Sequence, residues 1–334
     1  MSQEVSEIAR GEPLLEIKDL RLEFITEEGT VEALDGINIT VKKGEIHGLI
    51  GETGCGKSVT SLTTLGLLDD NARIRGGEVI YRGKDLLKMD ENTLRENVRG
   101  NEISMIFQNP STSLNPVYTA GEQIRESIVL YQSDDKKEAQ KLVLDELDRV
   151  KLPDPEDVYD KYPHELSGGM QQRVMIAMML ACKSNLMIAD EPTTALDVSI
   201  QAQFLKVLQE LKEREDLSIL YITHDMAVIS EICDVVTVMY GGQIAETAEV
   251  EDLFNSPKHP YTIGLIHSVP GVKESIEEFE TIPGTVPRLI NPPSGCRFHP
   301  RCEYARDICS KEKPPLESIE KGHHVACHFW EEVE

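Results

Sequence analysis

Short alternating runs open the chain. Leu15-Glu16-Ile17-Lys18 and Ile37-Asn38-Ile39-Thr40-Val41 predict half-buried strands between residues 14 and 41, and Gly77-Glu78-Val79-Ile80-Tyr81-Arg82 predicts another. Continuous apolar runs follow a different rule. The segments 45–50, 103–107, 186–190, 218–223 and 234–240 are short and unbroken, as strands buried on both faces are. Helical spacing occupies 59–68, 121–131, 136–150, 171–180 and 199–215. After Gln108 the composition shifts: residues 109–116 read as a loop, helices follow, and Pro153 and Pro155 break the pattern before buried strands return at 186. These patterns predict an α/β fold: a polar tail over 1–12, a main domain over 13–255 with a helical insert at about 109–184, and an extension over 256–334.

Composition narrows the partners. Asp and Glu number 59 against 34 Lys and Arg, a formal net charge of −25. The corresponding isoelectric point is near 4.8. That balance disfavours long polyanions such as DNA, which need a basic face, and no nucleic-acid partner is expected. The longest apolar run, 174–182, falls well short of the ~20 residues that span a bilayer. Glu4, Glu7 and Glu12 without an apolar stretch do not read as a secretory signal. A cytosolic, reducing setting is expected, in which the seven cysteines stay out of disulfides.

The most specific chemistry is Gly51-Glu52-Thr53-Gly54-Cys55-Gly56-Lys57-Ser58, set between a buried strand and a helix that begins near Val59. Glycines there let backbone N–H groups turn toward an anion at a helix N-terminus. Lys57 can reach the terminal phosphates of a nucleotide, and the Ser58 hydroxyl can ligate Mg²⁺. Cys55 at that terminus is expected to have a lowered pKa. A second chemical edge lies at Asp190-Glu191, where an apolar strand ends in two carboxylates: Asp190 suits a metal shell and Glu191 an attacking water. His224 also follows an apolar strand, at the edge where ligands bind in open α/β sheets. Ser167-Gly168-Gly169 opens a long helix and offers another anion-binding terminus.

The glycine-rich loop, Gln108, Leu166-Ser167-Gly168-Gly169-Met170-Gln171, Asp190-Glu191, Ala195-Leu196-Asp197 and His224 occur in an order that resembles the ATP-binding-cassette (ABC) ATPases. The resemblance implies a P-loop NTPase core with an antiparallel β subdomain and a helical subdomain. It implies ATP and Mg²⁺ as ligands, with Phe24 stacking on adenine and residues Gly51 to Val59 (Glu52, Thr53, Gly54, Cys55, Gly56, Lys57 and Ser58 among them) around the phosphates. Ser58, Gln108 and Asp190 would hold Mg²⁺. Glu191, His224 and Gln108 would serve hydrolysis. Ser167, Gly168, Gly169, Gln171 and Asp197 would reach ATP bound to a second cassette in a head-to-tail dimer.

His259-Pro260-Tyr261-Thr262 beyond the cassette, with the loop from Asn109 to Pro116 and the segment from Asp190 to Gln203 within it, resemble the D-type ATP-binding subunits of dipeptide, oligopeptide or nickel importers. That resemblance implies two transmembrane permease subunits, an external binding protein, and a peripheral place on the cytoplasmic face of the membrane. The pocket that chooses the solute would lie on those other polypeptides. Cys296, Cys302, Cys309 and Cys327, spaced Cys-x5-Cys-x6-Cys-x17-Cys, sit in a segment too polar and proline-rich to build a core, which suggests a metal staple. Four thiolates suit a 4Fe–4S cluster or zinc, and the resemblance favours the cluster. The rival to a peptide importer is a soluble cassette ATPase of iron–sulfur assembly or DNA repair.

Overall fold

The computed structural model describes residues 8–108, 114–193, 198–268 and 282–333. The chain forms two compact units, one of residues 1–89 and 221–334, the other of residues 90–220.

The first unit begins with an antiparallel sheet. Strands β1 (Pro13–Thr26) and β2 (Gly29–Lys42) form a hairpin. Strand β3 (Ile46–Ile50) leaves this sheet, which β4 (Ala72–Tyr81) and the short β5 (Lys84–Asp85) complete in the order β2-β1-β4-β5. The buried side chains of β1 change parity, from Leu15 and Ile17 to Leu20 and Leu22. Strict alternation would turn Leu20 outward. The register shifts between Ile17 and Leu20, where Asp19 takes a left-handed φ of 44°, and this bulge restores the apolar face. Gly77 sits against the same bulge, since a Cβ there would stand 2.5 Å from the Leu20 Cα.

In the second unit β6 (Ile103–Ile106) and β7 (Leu186–Asp190) pair in parallel, so their C-terminal ends lie side by side. Both are wholly buried, as their unbroken apolar runs predict. Between them in sequence run helices Ala120–Tyr131, Lys136–Arg149, Pro155–Tyr159 and Gly168–Ala181, and Val198–Glu215 comes after β7. Thr119 and Glu122 form a reciprocal capping box on the first of these helices, and Asp135 caps the next. Ile124, Ile128, Val143, Leu147, Val174 and Ile176 supply the apolar face that these helices share.

Strand β8 (Ser218–Thr223) carries the chain back into the first unit. There β9 (Val235–Tyr240) runs parallel to β3, with Gly48 opposite Val236. A Cβ on Gly48 would lie 2.6 Å from Ile229 Cδ1, so glycine lets helix Met226–Ile232 rest on the strand. Gly241 and Gly242, both at positive φ, turn β9 into the antiparallel β10 (Gln243–Glu249). The C-terminal extension then adds to this sheet: β11 (Glu317–Glu320) and β12 (His323–Val325) extend it beyond β10 in the order β11-β12-β10-β9-β3.

The extension packs a core onto its neighbour, which corrects the expectation of a segment too polar and proline-rich to build one. Phe298 is buried, edge-on to Tyr240 with ring centroids 5.0 Å apart and tilted 5.4 Å from Tyr261. Arg297, 3 % exposed, donates to the Glu32 and Gly241 carbonyls and pairs with the Glu32 carboxylate at 2.7 Å. Glu246, fully buried, accepts the backbone N–H groups of Lys258 (2.7 Å) and His259 (2.9 Å) and meets His323 Nε2 at 2.7 Å. A polar segment thus acquires a core by lending one aromatic ring to the core of its neighbour.

Burial holds the His259 pKa down to about 4, against an ordinary 6.5. Its Nδ1 accepts the Tyr261 N–H at 3.0 Å, as only the unprotonated nitrogen can. Unfolded His takes a proton near its ordinary pKa, so the stabilisation is complete above that value and is lost as pH falls toward the folded one. Unfolding at stepped pH is therefore expected to show about 3 kcal/mol of stability disappearing as pH drops through this window, from the depression of His259 alone. His259→Asn, which keeps an acceptor for Tyr261, is expected to flatten that slope; an unchanged slope in the variant would contradict the assignment.

Candidate active site

In the first unit β3 delivers the chain into the glycine-rich loop. A Cβ on Gly51 would stand 2.2 Å from the Met239 carbonyl oxygen and 2.8 Å from Cys55 Sγ, so only glycine fits. Gly54 (φ 82°) and Gly56 (φ 106°) are left-handed, and Gly56 is the N-cap of helix Lys57–Thr64. The first N–H groups of that helix have no carbonyl within it to bond, and they face the loop end. Lys57 Nζ donates to Gly51 O at 2.6 Å and to Glu52 O at 3.3 Å. The ammonium therefore lies folded over the loop it would share with a phosphate. Thr53 and Gly54 are exposed at the loop tip, and Ser58 and Val59 are partly exposed at the helix start.

Cys55 departs from its expectation. Its thiol is fully buried, and burial raises its pKa, an effect that outweighs the nearby Lys57 charge. A helix terminus activates a thiol only where the thiolate can be solvated, and this one has no exposure to water.

Phe24 is half-buried on β1, in register with Val31 of β2 and Ala72 of β4. His224 is exposed just beyond β8. The turn that carries it is fixed by Thr223 Oγ1, which accepts the Asp225 N–H at 3.0 Å, and by Asp225, which caps the next helix through Ala227 N.

The second unit holds the carboxylates. Asp190 ends β7 and is 4 % exposed. Glu191 follows at 8 % exposure with φ 46°, a left-handed conformation that costs a non-glycine residue about 1 kcal/mol or more. Because β6 and β7 end together, Gln108 reaches across, and its Nε2 donates to Glu191 Oε2 at 3.0 Å. Sequence separation of 83 residues becomes one hydrogen bond. The oxygen donors here, carboxylate and amide, suit Mg²⁺.

The same unit carries Ser167-Gly168-Gly169 at the start of helix Gly168–Ala181. Ser167 is the N-cap, accepting the Met170 N–H at 3.3 Å. Gly168 meets open space, whereas a Cβ on Gly169 would stand 2.8 Å from Ile200 Cγ2. Gln171 turns its amide inward, donating to the Pro163 carbonyl at 2.7 Å and the Leu166 carbonyl at 3.3 Å, which braces the loop from behind. Asp197, and residues 109–113 of the loop after Gln108, lie outside the described residues.

The four C-terminal cysteines line one small pocket together with His259, Phe298 and His299. Burial pushes the Cys296 and Cys302 thiols up to about 11 and about 12. Among the described residues, no group of three or more His, Cys, Asp or Glu side chains could hold a metal ion as they stand. The thiols share a pocket but not ligand geometry.

Two features escaped the sequence reading. Buried His47 links Glu45 Oε1 (3.0 Å) to Thr237 Oγ1 (2.9 Å), a polar chain between β3 and β9 whose only sequence trace is a Glu-x-His pair entering an apolar strand. Glu52 is held by Tyr261 and Arg301 of the extension, contacts that span 209 and 249 residues and leave no local signal.

Residues 34–194 match the family model described as ABC transporter, and residues 245–309 match the oligopeptide/dipeptide transporter C-terminal region. The chain is 48 % identical to a probable peptide ABC transporter ATP-binding protein of Sinorhizobium fredii, covering 97 % of each chain. It is 44 % identical to the dipeptide transport ATP-binding protein of Escherichia coli, over 95 % of this chain and 96 % of that one. With the oligopeptide transport ATP-binding protein of Salmonella typhimurium it shares 47 % identity, over 94 % and 93 %. Among solved structures, a dimeric ATP-binding cassette in a post-hydrolysis state with ADP and phosphate aligns with a TM-score of 0.63 at 27 % identity, covering 71 % of this chain and 98 % of that one.

Proposed function

This chain belongs to the ATP-binding subunits of ABC transporters, and we propose that it hydrolyses ATP to power the import of dipeptides or oligopeptides. The observation that carries the reading is an ABC transporter match over residues 34–194 in the same chain as a C-terminal region of peptide-transporter type at 245–309. That second region disfavours an iron–sulfur-assembly or DNA-repair cassette. The main domain is taken as 13–255 with its helical part at about 109–184, and 256–334 as the extension.

In this reading Lys57 and the loop from Gly51 to Ser58 hold the triphosphate, while Phe24 offers a face to adenine. Ser58, Gln108 and Asp190 would hold Mg²⁺, which when bound neutralises phosphate charge. Glu191 orients the attacking water, held in place by Gln108, and His224 contacts the terminal phosphate. Ser167, Gly168 and Gly169, with Gln171 behind them, serve a second cassette across a head-to-tail dimer, as does Asp197 in this reading; dimerisation of the solved cassette supports it. No helix among the described residues is long and apolar enough to cross a membrane. By its likeness to peptide-import ATP-binding subunits, the chain would act peripherally, at the cytoplasmic face, on two permease subunits fed by an external peptide-binding protein.

For the four cysteines we infer a metal centre, 4Fe–4S first and zinc second, on the shared pocket and the donor chemistry. Anaerobic purification is expected to yield iron with the visible absorbance of a sulfide-bridged cluster, lost in Cys302→Ser. Protein with neither iron nor zinc at one site per chain would contradict it.

In the complex assembled with permease subunits and binding protein, peptide is expected to stimulate ATP hydrolysis. Glu191→Gln is expected to lower turnover by about 10² or more while ATP stays bound in a stable dimer. Turnover close to wild type in that variant would overturn the role given to Glu191, and hydrolysis indifferent to peptide would overturn the transport assignment.

A further inference from the structure

Glu52 is the second residue of the phosphate loop, and its surroundings come from the far end of the chain. Its backbone N–H donates to the Tyr261 hydroxyl at 3.0 Å, and Tyr261 is fully buried. Its carboxylate faces the Arg301 guanidinium, Oε2 at 2.7 Å from Nη1 and Oε1 at 3.3 Å from Nη2, a two-pronged pair. Arg301 is itself fixed. Nε donates to the Pro283 carbonyl at 2.7 Å, Nη2 to the Ile282 carbonyl and Nη1 to the Tyr240 hydroxyl, each at 3.3 Å, and the guanidinium lies over the Tyr240 ring. Its side chain is 5 % exposed, against 31 % for Glu52. Little water is left to screen the pair on the arginine side.

From this geometry we infer that Arg301 and Tyr261 are positioning residues for ATP: they hold the phosphate loop through Glu52, so that nucleotide affinity depends on the docked C-terminal extension. Two physical effects act together. Tyr261 fixes the backbone at Glu52, one peptide beyond the point where Gly51 packs on the Met239 carbonyl. Arg301 offsets a carboxylate that would otherwise stand in the loop meant for a polyanion, in a chain already at −25. The coupling has a short mechanical path. Arg301 closes the turn His299–Arg301, which begins at the buried Phe298 ring and ends at Cys302. Whatever disturbs that turn moves the cation that governs Glu52.

The inference rests on the loop being an ATP site, and the test separates the two. Calorimetric binding of Mg·ATP is measured on the full chain for wild type, Arg301→Ala, Arg301→Lys, Glu52→Gln and the double variant Arg301→Ala/Glu52→Gln, each with its thermal unfolding. Arg301→Ala is expected to weaken ATP about tenfold, with KM in the assembled complex rising more than kcat falls. The double variant is expected to bind as Glu52→Gln does, because removing the carboxylate removes the need for its cation; a merely structural role would give no such rescue. If Arg301→Ala unfolds, Arg301→Lys carries the test, with an intermediate weakening expected, since lysine keeps the charge and loses the fork. Wild-type affinity in the folded Arg301 variant, or failure of Glu52→Gln to rescue it, overturns the inference alone. Absence of ATP binding in wild type overturns the ATP site and the inference with it.

Discussion

The carbonyl oxygen of Met239 occupies the space that any side chain at position 51 would need. From that one close approach the chemistry of the first unit follows. Because Gly51 lies flat against β9, β3 can run parallel to it and release the loop at its C-terminal end, above the sheet edge where ligands bind. Because Gly56 accepts a left-handed φ, helix Lys57–Thr64 starts there with its positive end turned to the loop. Lys57 then folds back over Gly51 rather than extending into solvent. The cradle is a backbone device, and its side chains are few because carbonyls and glycines already fill the space.

The second unit applies the same economy to carboxylates. Parallel pairing of β6 with β7 brings Gln108 to Glu191 without any specific helper, and a left-handed φ at Glu191 turns it away from the strand that bears Asp190. Strain of this kind persists only where surrounding structure enforces it, and here β7 is wholly buried behind it. The division proposed for these two adjacent acids, metal holding by Asp190 and water activation by Glu191, would draw on this break in the strand geometry.

Patterns of apolar residues made the fold legible where one local rule sufficed. Buried parallel strands read as unbroken runs and the glycine-rich loop as glycines at fixed spacing, whereas Gln108 and Glu191 are grouped in the sequence only by the resemblance to ABC ATPases, and their hydrogen bond belongs to the structure. Legibility failed where burial or distant contacts decide. Cys55 looked like an activated thiol because its sequence neighbours are a helix start and a lysine, yet it has no exposure to water and its pKa rises. The extension looked too polar to fold because its composition was weighed alone. Phe298 instead completes a core that includes Tyr240, and the buried Arg297 ties the segment to the exposed Glu32. The parity change in β1 is an intermediate case: Leu15, Ile17, Leu20 and Leu22 are visible as apolar, but only the bulge at Asp19 explains why all four point inward.

The most direct test of the central claim compares ATP, ADP and AMP binding to the purified full chain with Mg²⁺, in wild type and in Gly51→Ala. A site that grips the phosphate tail predicts affinity falling steeply from ATP to AMP, and loss of ATP binding in Gly51→Ala, whose methyl has no room beside Met239. Equal affinity for ATP and AMP, or undiminished ATP binding by Gly51→Ala, would contradict the account.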